Sequence, residues 1–559
     1  MRVPIRAAVL VVASAFARPA TPSEAARPDV AAAVQALLEA GRDPALSRPG
    51  LESELPSLRA LYAAESGGLF WFDGSTPRPA LAGCVDALGR SAAIGLRPAD
   101  YDAVRLAVKW EELKSGAPWS PAELAQFDVG LSTAVMRLLR HVRVGRVDPR
   151  SVGFDFDVSA KELELPAVVR SARDGGGCAA AVDAAEPPFV FYKRLVKTLA
   201  DYRSYAARGE PPPVPAFPPG RRKIEPGTAW AGVTPLDARL RLLGDLAASA
   251  PPPGVAPDGT PLYAGEIVDA VKRYQDRHAL DPDGVIGAGT IDAVNTPLAS
   301  RVRQIELAIE RVRWVPATPN EPVIVVNVPL FRLWALEPDK PTSFFRMRVV
   351  TGEAGPHATP LFMDRLEYVV FRPYWNPPPS IVRNEILPHA RRDPAYLDRV
   401  DMEIVATGDD EAQALPATPE NLSQVASGKL HLRQRPGPKN SLGLAKFIFP
   451  NANNVYMHGT PAQKLFSRTR RDFSHGCIRL EDPSTLAEWV LRDDPEWNRA
   501  RIEQAMGGER PTRVNLRKPI PVIIFYDTVL VDHEGVVHFA GDYYGHDARL
   551  ENALRRDGS

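Results

Sequence analysis

Val455-Tyr456-Met457-His458-Gly459-Thr460, followed after thirteen residues by Ser474-His475-Gly476-Cys477-Ile478-Arg479-Leu480, is the stretch on which the reading of this chain turns. The first run, rich in β-branched and aromatic residues, reads as a strand that delivers His458. The second reads as a loop that delivers Cys477 just ahead of a helix from Pro483 to Leu491. A thiol of ordinary pKa, about 8.5, is mostly protonated at neutral pH, so it becomes a nucleophile only beside a base or in a positive field. Three features supply these. His458 accepts the proton, Arg479 adds positive charge, and the N-terminus of the following helix favours a thiolate if it points at the sulfur. Gly476 lets the backbone approach a substrate closely, and the amides around Gly476 and Cys477 are placed to hold an oxyanion. This is a nucleophile–base pair suited to acyl transfer. A zinc site of His458, His475 and Cys477 would need paired-ligand spacing that the stretch lacks, so no metal is expected. His533, His538 and His546 read as a polar tail.

Around this stretch lie further strand-like runs: Val323–Val328, Phe345–Val350, Tyr368–Phe371, Lys446–Phe449 and Val522–Tyr526. They imply one sheet-based domain over 300–545, interrupted by a more polar insertion at 380–436. Upstream, residues 28–233 read as mostly helical, with an apolar stripe at Leu131, Val135, Leu138, Leu139 and Val142. The stretch GEPPPVPAFPPG (209–220) cannot continue a helix and is expected to lie extended as a linker. Between these regions, 234–297 reads as a compact unit. A helix carrying Ile267, Val271 and Tyr274 precedes an Asp281-Pro282-Asp283-Gly284 turn, and a second helix starts near a Thr290 cap. The fold class is therefore multi-domain α+β.

The spacing of His458-Gly459-Thr460 and Ser474-His475-Gly476-Cys477-Ile478-Arg479-Leu480 resembles the signature of the L,D-transpeptidase catalytic domain, the YkuD-type fold, over roughly 322–545. The run AVKRYQDRHALDPDGVIGAGTIDAVN (270–295) resembles the peptidoglycan-binding domain family of small three-helix modules, with Tyr274 where Phe is usual. The layout is similar to the large multi-domain Gram-negative L,D-transpeptidases, which combine a helical scaffold, a peptidoglycan-binding module and a capping insertion. The resemblance implies that Cys477 is the nucleophile, His458 its base, and Gly459 the residue whose carbonyl orients the imidazole. It implies that His475, Gly476 and the Cys477 amide shape the oxyanion pocket, with Ser474 and Arg479 supporting the loop or meeting substrate and Tyr456 lining the pocket. Trp375 and Asn376, beside the insertion, are weaker candidates for contact with the stem peptide.

The implied reaction forms 3→3 peptidoglycan cross-links through a Cys477 thioester, releasing D-Ala from a donor tetrapeptide without metal or organic cofactor. The same thioester passed to water makes an L,D-carboxypeptidase, and passed to a lipoprotein lysine it attaches protein to the wall. A non-catalytic wall-binding scaffold is the alternative from another class. The expected partners are peptidoglycan stem peptides and other cell-wall enzymes, with no nucleic acid and no stable membrane insertion.

Composition agrees with these classes. Lys plus Arg and Asp plus Glu are 68 each, so no global field draws the chain to nucleic acid or an anionic membrane. The start, with Arg2, Arg6 and the apolar run Ala7–Ala17, reads as a signal peptide (1–17) for periplasmic export, with an uncleaved anchor as the alternative. Three cysteines leave one thiol unpaired in an exported protein. Cys84 and Cys178 are read equally well as a disulfide or as two buried small residues.

Overall fold

The computed structural model describes residues 27–66, 68–316, 321–337, 344–393 and 395–557. The export segment expected at 1–17 lies outside them. The chain divides into two compact units, one built from residues up to 92 with 97–140 and 163–185, the other from 93–96, 141–162 and everything from 186 onward.

The first unit is helical. Leu81, Cys84, Val85 and Leu88 form the buried stripe of the helix Ala80–Arg90, and Cys84 is joined to Cys178 at the start of the helix Cys178–Ala185. The question left open by the sequence is thus answered by a disulfide. A second tie is polar. The fully buried Asp128 carboxylate accepts from the Tyr62 hydroxyl and from the amides of Phe70 and Trp71. Three donors on one buried carboxylate satisfy what would otherwise be a costly orphan.

In the second unit the proline-rich stretch is extended, as expected, but it is pinned to its neighbours. Val214 is buried and exchanges hydrogen bonds with the Asn295 side chain, while Arg239 donates to the carbonyls of Pro211 and Pro212. Prolines have no N–H, so their carbonyls are the polar groups left to satisfy, and a buried guanidinium does so here. The helices Val233–Leu243, Glu266–Arg277 and Ala288–Asn295 share a core of Leu236, Leu240, Ile267, Val271, Tyr274 and Val294. Gly287, and not Thr290, is the cap residue of the third helix. Thr290 is buried in its first turn, where its hydroxyl accepts from Gln275.

The helices Val190–Ala207 and Leu298–Val312 pack together on the hairpin Val529–Val531/Val537–Phe539. Of the histidines expected to form a polar tail, His533 is exposed, but the other two are not. His546 is buried against Phe154 and Tyr526, and His538 pairs with Asp532 at 2.9 Å.

Ten strands make the sheet that carries the site. They are β1 (Phe154–Asp155), β2 (Val323–Asn327), β3 (Arg332–Leu336), β4 (Phe344–Gly352) and β5 (Leu361–Phe371), then β6 (Ala445–Ile448), β7 (Met457–His458), β8 (Asp472–Ser474), β9 (Ile478–Leu480) and β10 (Thr512–Phe525). The order is β6-β7-β9-β4-β3-β2-β10-β5, and a β6–β5 pairing closes it into a barrel, with β1 added to β5 and β8 to β4.

Side-chain alternation then sorts the residues. Ile324, Leu333, Met347, Val349, Val369, Phe447, Met457, Ile478, Leu480, Val522 and Ile524 pack in the core. The opposite positions face out: Arg332 opposite Arg348, Trp334 opposite Arg346, Arg479 opposite Val350, His458 opposite Arg479, and Lys446 opposite His458. Between β5 and β6, the polar insertion forms its own three-stranded sheet and its own core of Ile386, Leu387, Leu397, Ile404, Leu422 and Leu432.

Candidate active site

His458 is presented by a two-residue strand, Met457 pointing into the barrel core and His458 to its outer face. The next residue has little room. A Cβ on Gly459 would stand 3.2 Å from Pro483 and 3.3 Å from the Leu442 carbonyl. Gly443 packs against the same segment, and a Cβ there would come within 2.6 Å of the Thr460 nitrogen. This close packing places the Gly459 carbonyl 2.5 Å from His458 Nδ1. A carbonyl only accepts, so Nδ1 carries the hydrogen and Nε2 keeps its lone pair. Burial, then the Arg479 charge, push the imidazole down to about 3 against the opposing Gly459 bond, so it is a neutral ring with a free basic nitrogen at neutral pH.

Cys477 follows a tightly wound loop. Ser474 Oγ donates to the Cys477 carbonyl at 2.5 Å and accepts from the Gly476 amide at 3.2 Å. Gly476 has φ +110°, a conformation closed to residues with a side chain. Its carbonyl accepts from Thr359 Oγ1 at 2.9 Å, and Thr359 Oγ1 in turn accepts from the Gly352 amide at 2.8 Å. The Tyr544 hydroxyl completes the brace by donating to the Gly352 carbonyl and accepting from the Thr359 amide. Thr359 and Tyr544 are far from the signature in sequence and carry no pattern of their own, so residue spacing had no means of finding them.

The sulfur's resolved partners are the Tyr456 amide and hydroxyl and the Arg479 charge, all of which favour the thiolate. Burial outweighs them and pushes the thiol up, so the resting group is a neutral thiol. The Tyr456 hydroxyl is itself raised by burial and by the neighbouring sulfur, and its ring lies 5.7 Å from that of His458. At rest, therefore, Tyr456 stands beside both members of the expected pair. The sulfur has Tyr456 as its neighbour, and the imidazole is bonded to Gly459.

The helix expected from Pro483 to Leu491 is present as Pro483–Val490, with a strand between it and Cys477. Cys477 is followed by strand β9, not directly by a helix, because Ile478 and Leu480 enter the barrel core and hold the segment extended. The helix Pro483–Val490 begins after it, and its first-turn amide at Thr485 is taken by the Asp482 carboxylate.

The remaining candidates separate into two groups. His475 is half-exposed, 3.0 Å from Glu385 of the insertion and in ring contact with His357. Trp375 and Asn376 make their contacts with the insertion: Trp375 pairs its backbone with Gln434 and packs on the insertion's core, and Asn376 bonds the Gly408 carbonyl.

Comparison with known proteins bears on this geometry directly. Residues 321–515, which hold His458, the Ser474–Cys477 loop and Arg479, match the L,D-transpeptidase catalytic domain family, YkuD. Those residues are a YkuD-type L,D-transpeptidase catalytic domain. Residues 56–199 match a separate scaffold domain. A curated Haemophilus influenzae protein titled "Putative L,D-transpeptidase" is 27% identical over 252 residues, covering 45% of this chain and 49% of that protein. The chain thus spans about half the length of that relative. A solved structure titled as an L,D-transpeptidase (Yku) from Stackebrandtia nassauensis shares 15% identity at a TM-score of 0.22, covering 56% of this chain and 97% of its own. In this L,D-transpeptidase domain the Tyr544 brace lies beyond the matched range. Among the described residues no helix is long and apolar enough to cross a membrane.

Proposed function

We propose that this chain forms 3→3 cross-links in peptidoglycan through a thioester on Cys477. The Cys477 sulfur attacks the carbonyl of the third residue of a donor tetrapeptide while its proton passes to His458 Nε2. The Cys477 amide, in a pocket shaped by Gly476 and His475, holds the oxyanion, and D-Ala leaves as the amine after taking the proton back from His458. An amine of a neighbouring stem then displaces the sulfur from the thioester and restores the thiol. The observation that carries this reading is the fixed tautomer of His458, a neutral imidazole whose basic nitrogen is left free on the barrel face that also bears Arg479. Because burial keeps the resting sulfur a neutral thiol, proton transfer accompanies attack and does not precede it.

The domain reading extends this. Residues 1–17 export the chain to the periplasm, 28–233 form the scaffold with its proline-rich end, 234–297 bind cell-wall polymer, and 380–436 cap the catalytic domain of 300–545. The His475–Glu385 contact at 3.0 Å supports a cap that reaches the nucleophile loop. Ser474 and Arg479 support that loop, and Trp375 and Asn376 hold the root of the cap beside the stem peptide. No metal or organic cofactor takes part.

Incubation with disaccharide-tetrapeptide, followed by mass analysis, tests the reaction. Cross-linked dimer with loss of D-Ala is expected. Tripeptide alone identifies an L,D-carboxypeptidase using the same thioester. Absence of a covalent carbapenem adduct on the intact wild-type protein would leave only the wall-binding scaffold.

A further inference from the structure

On the outer face of the barrel, beside the strands that carry the site, four side chains form a compact cationic and aromatic surface. Register puts Arg332 opposite Arg348 and Trp334 opposite Arg346 on β3 and β4. Arg471, buried behind them, bonds only backbone carbonyls, among them those of Phe331 and Val349. Burial and the positive charges of Arg346 and Arg348 hold the Arg332 guanidinium below its ordinary range, outweighing the opposing charges of Asp276 and Glu481.

Among the described residues, acidic ones neutralise the group only at Arg348. Glu481 is bound to Arg348, Asp472 to Arg470 and Glu337 to Arg492. Among the described residues neither Arg332 nor Arg346 has a carboxylate within ion-pair distance. Bringing several guanidiniums together on adjacent strands costs free energy that a bound anion recovers, and a guanidinium is shaped for two-point contact with a carboxylate.

The place of this surface narrows the anion. Arg348 lies two positions from Val350 on β4, opposite Arg479 on β9 and next but one to His458 on β7. With strands about 4.8 Å apart and ~3.3 Å per residue, the arginines lie roughly 12–16 Å from His458 on the same face. An extended peptide of four or five residues spans about that distance. On its far side the surface is flanked by the helical module, with Asp276 facing Arg332 and Asp281 accepting from Thr469 in the segment between His458 and Cys477.

We propose that Arg332 and Arg346, with Trp334 between them, are a docking subsite for a carboxylate of the stem peptide presented to Cys477. This rests on the reaction proposed above and adds where the peptide is held. A carbapenem, which needs only the nucleophile and its pocket, does not use this subsite, whereas the peptide substrate does.

The test compares wild type with Arg332→Gln/Arg346→Gln in the full chain. The double variant is expected to keep its carbapenem acylation rate while KM for the disaccharide-tetrapeptide rises about tenfold or more, the loss expected for charge-assisted hydrogen bonds. The wild-type KM should also rise with salt, and that of the variant should not. Unchanged KM, or acylation slowed in parallel with turnover, overturns the subsite. If wild type does not turn the tetrapeptide over, the reaction proposal fails on its own. Calorimetric titration of the tetrapeptide into Cys477→Ala, with and without the two arginine substitutions, then decides the subsite. Weaker binding upon substitution upholds it. Equal binding, or none in either protein, overturns it.

Discussion

Two settings of the same residue type divide this protein. In the helical unit Cys84 and Cys178 are both fully buried, on helices that bring their sulfurs into a bond. In the barrel Cys477 is the free cysteine, partly accessible and set among a phenol, an arginine and an imidazole-bearing strand. The first pair is apolar packing tied by a covalent bond, and its effect is on stability. The second is chemically poised, yet its resting state is a neutral thiol, because burial outweighs the groups that would ionise it.

The largest effect that would break this contrast is at Cys477 itself. Cys477→Ala is expected to abolish both carbapenem adduct and turnover, read by intact mass, whereas Cys84→Ser/Cys178→Ser keeps the adduct. Next, His458→Gln should slow acylation by about 10²–10⁴, the usual contribution of a general base. An undiminished rate would remove His458 from the proton transfer.

The paired cysteines give the third test. They close a loop of 94 residues, and replacing both with serine should lower unfolding free energy by about 2–4 kcal/mol in a denaturant titration. The fourth sharpens the loop geometry. Thr359→Val leaves the Gly476 carbonyl and the Gly352 amide without their shared partner, and acylation is expected to fall about tenfold.

The smallest effect is a missing one. His458 is depressed to about 3 in the folded chain, so it stays a neutral base as pH falls through 6 and 5. The acylation rate should show no inflection near pH 6.5, and it should climb on the alkaline side as the raised thiol ionises. The same depression makes the unfolded chain take a proton that the folded one refuses. The stability due to this residue is therefore full above pH ~6.5 and declines as pH falls toward about 3.

Legibility from sequence followed chain distance. The motifs around His458 and Cys477 were legible because they are built from residue types a few positions apart: a glycine after the histidine, and a serine and glycine before the cysteine. Most barrel strands were readable because alternation is a local signal, as in Lys446–Phe449 and Phe345–Val350. The helix expected at Pro483–Leu491 is present as Pro483–Val490, but the short strand β9 before it went unread, since three residues such as Ile478-Arg479-Leu480 are too few to show a period. His546 was misread as part of a polar tail because nothing near it in sequence signals that Phe154 and Tyr526 enclose it.

What the sequence determined alone was the chemical cast: one thiol, one imidazole with a carbonyl beside it, and a strand-rich domain to carry them. Tertiary structure decided which groups stand around that pair. It set Tyr456 against the sulfur, braced Gly476 through Thr359 and Tyr544, joined Cys84 to Cys178, and put Arg332 and Arg346 on the face of His458. The physical reason is that backbone preference and side-chain period act over a few residues, while contacts between distant segments come only from packing the whole chain.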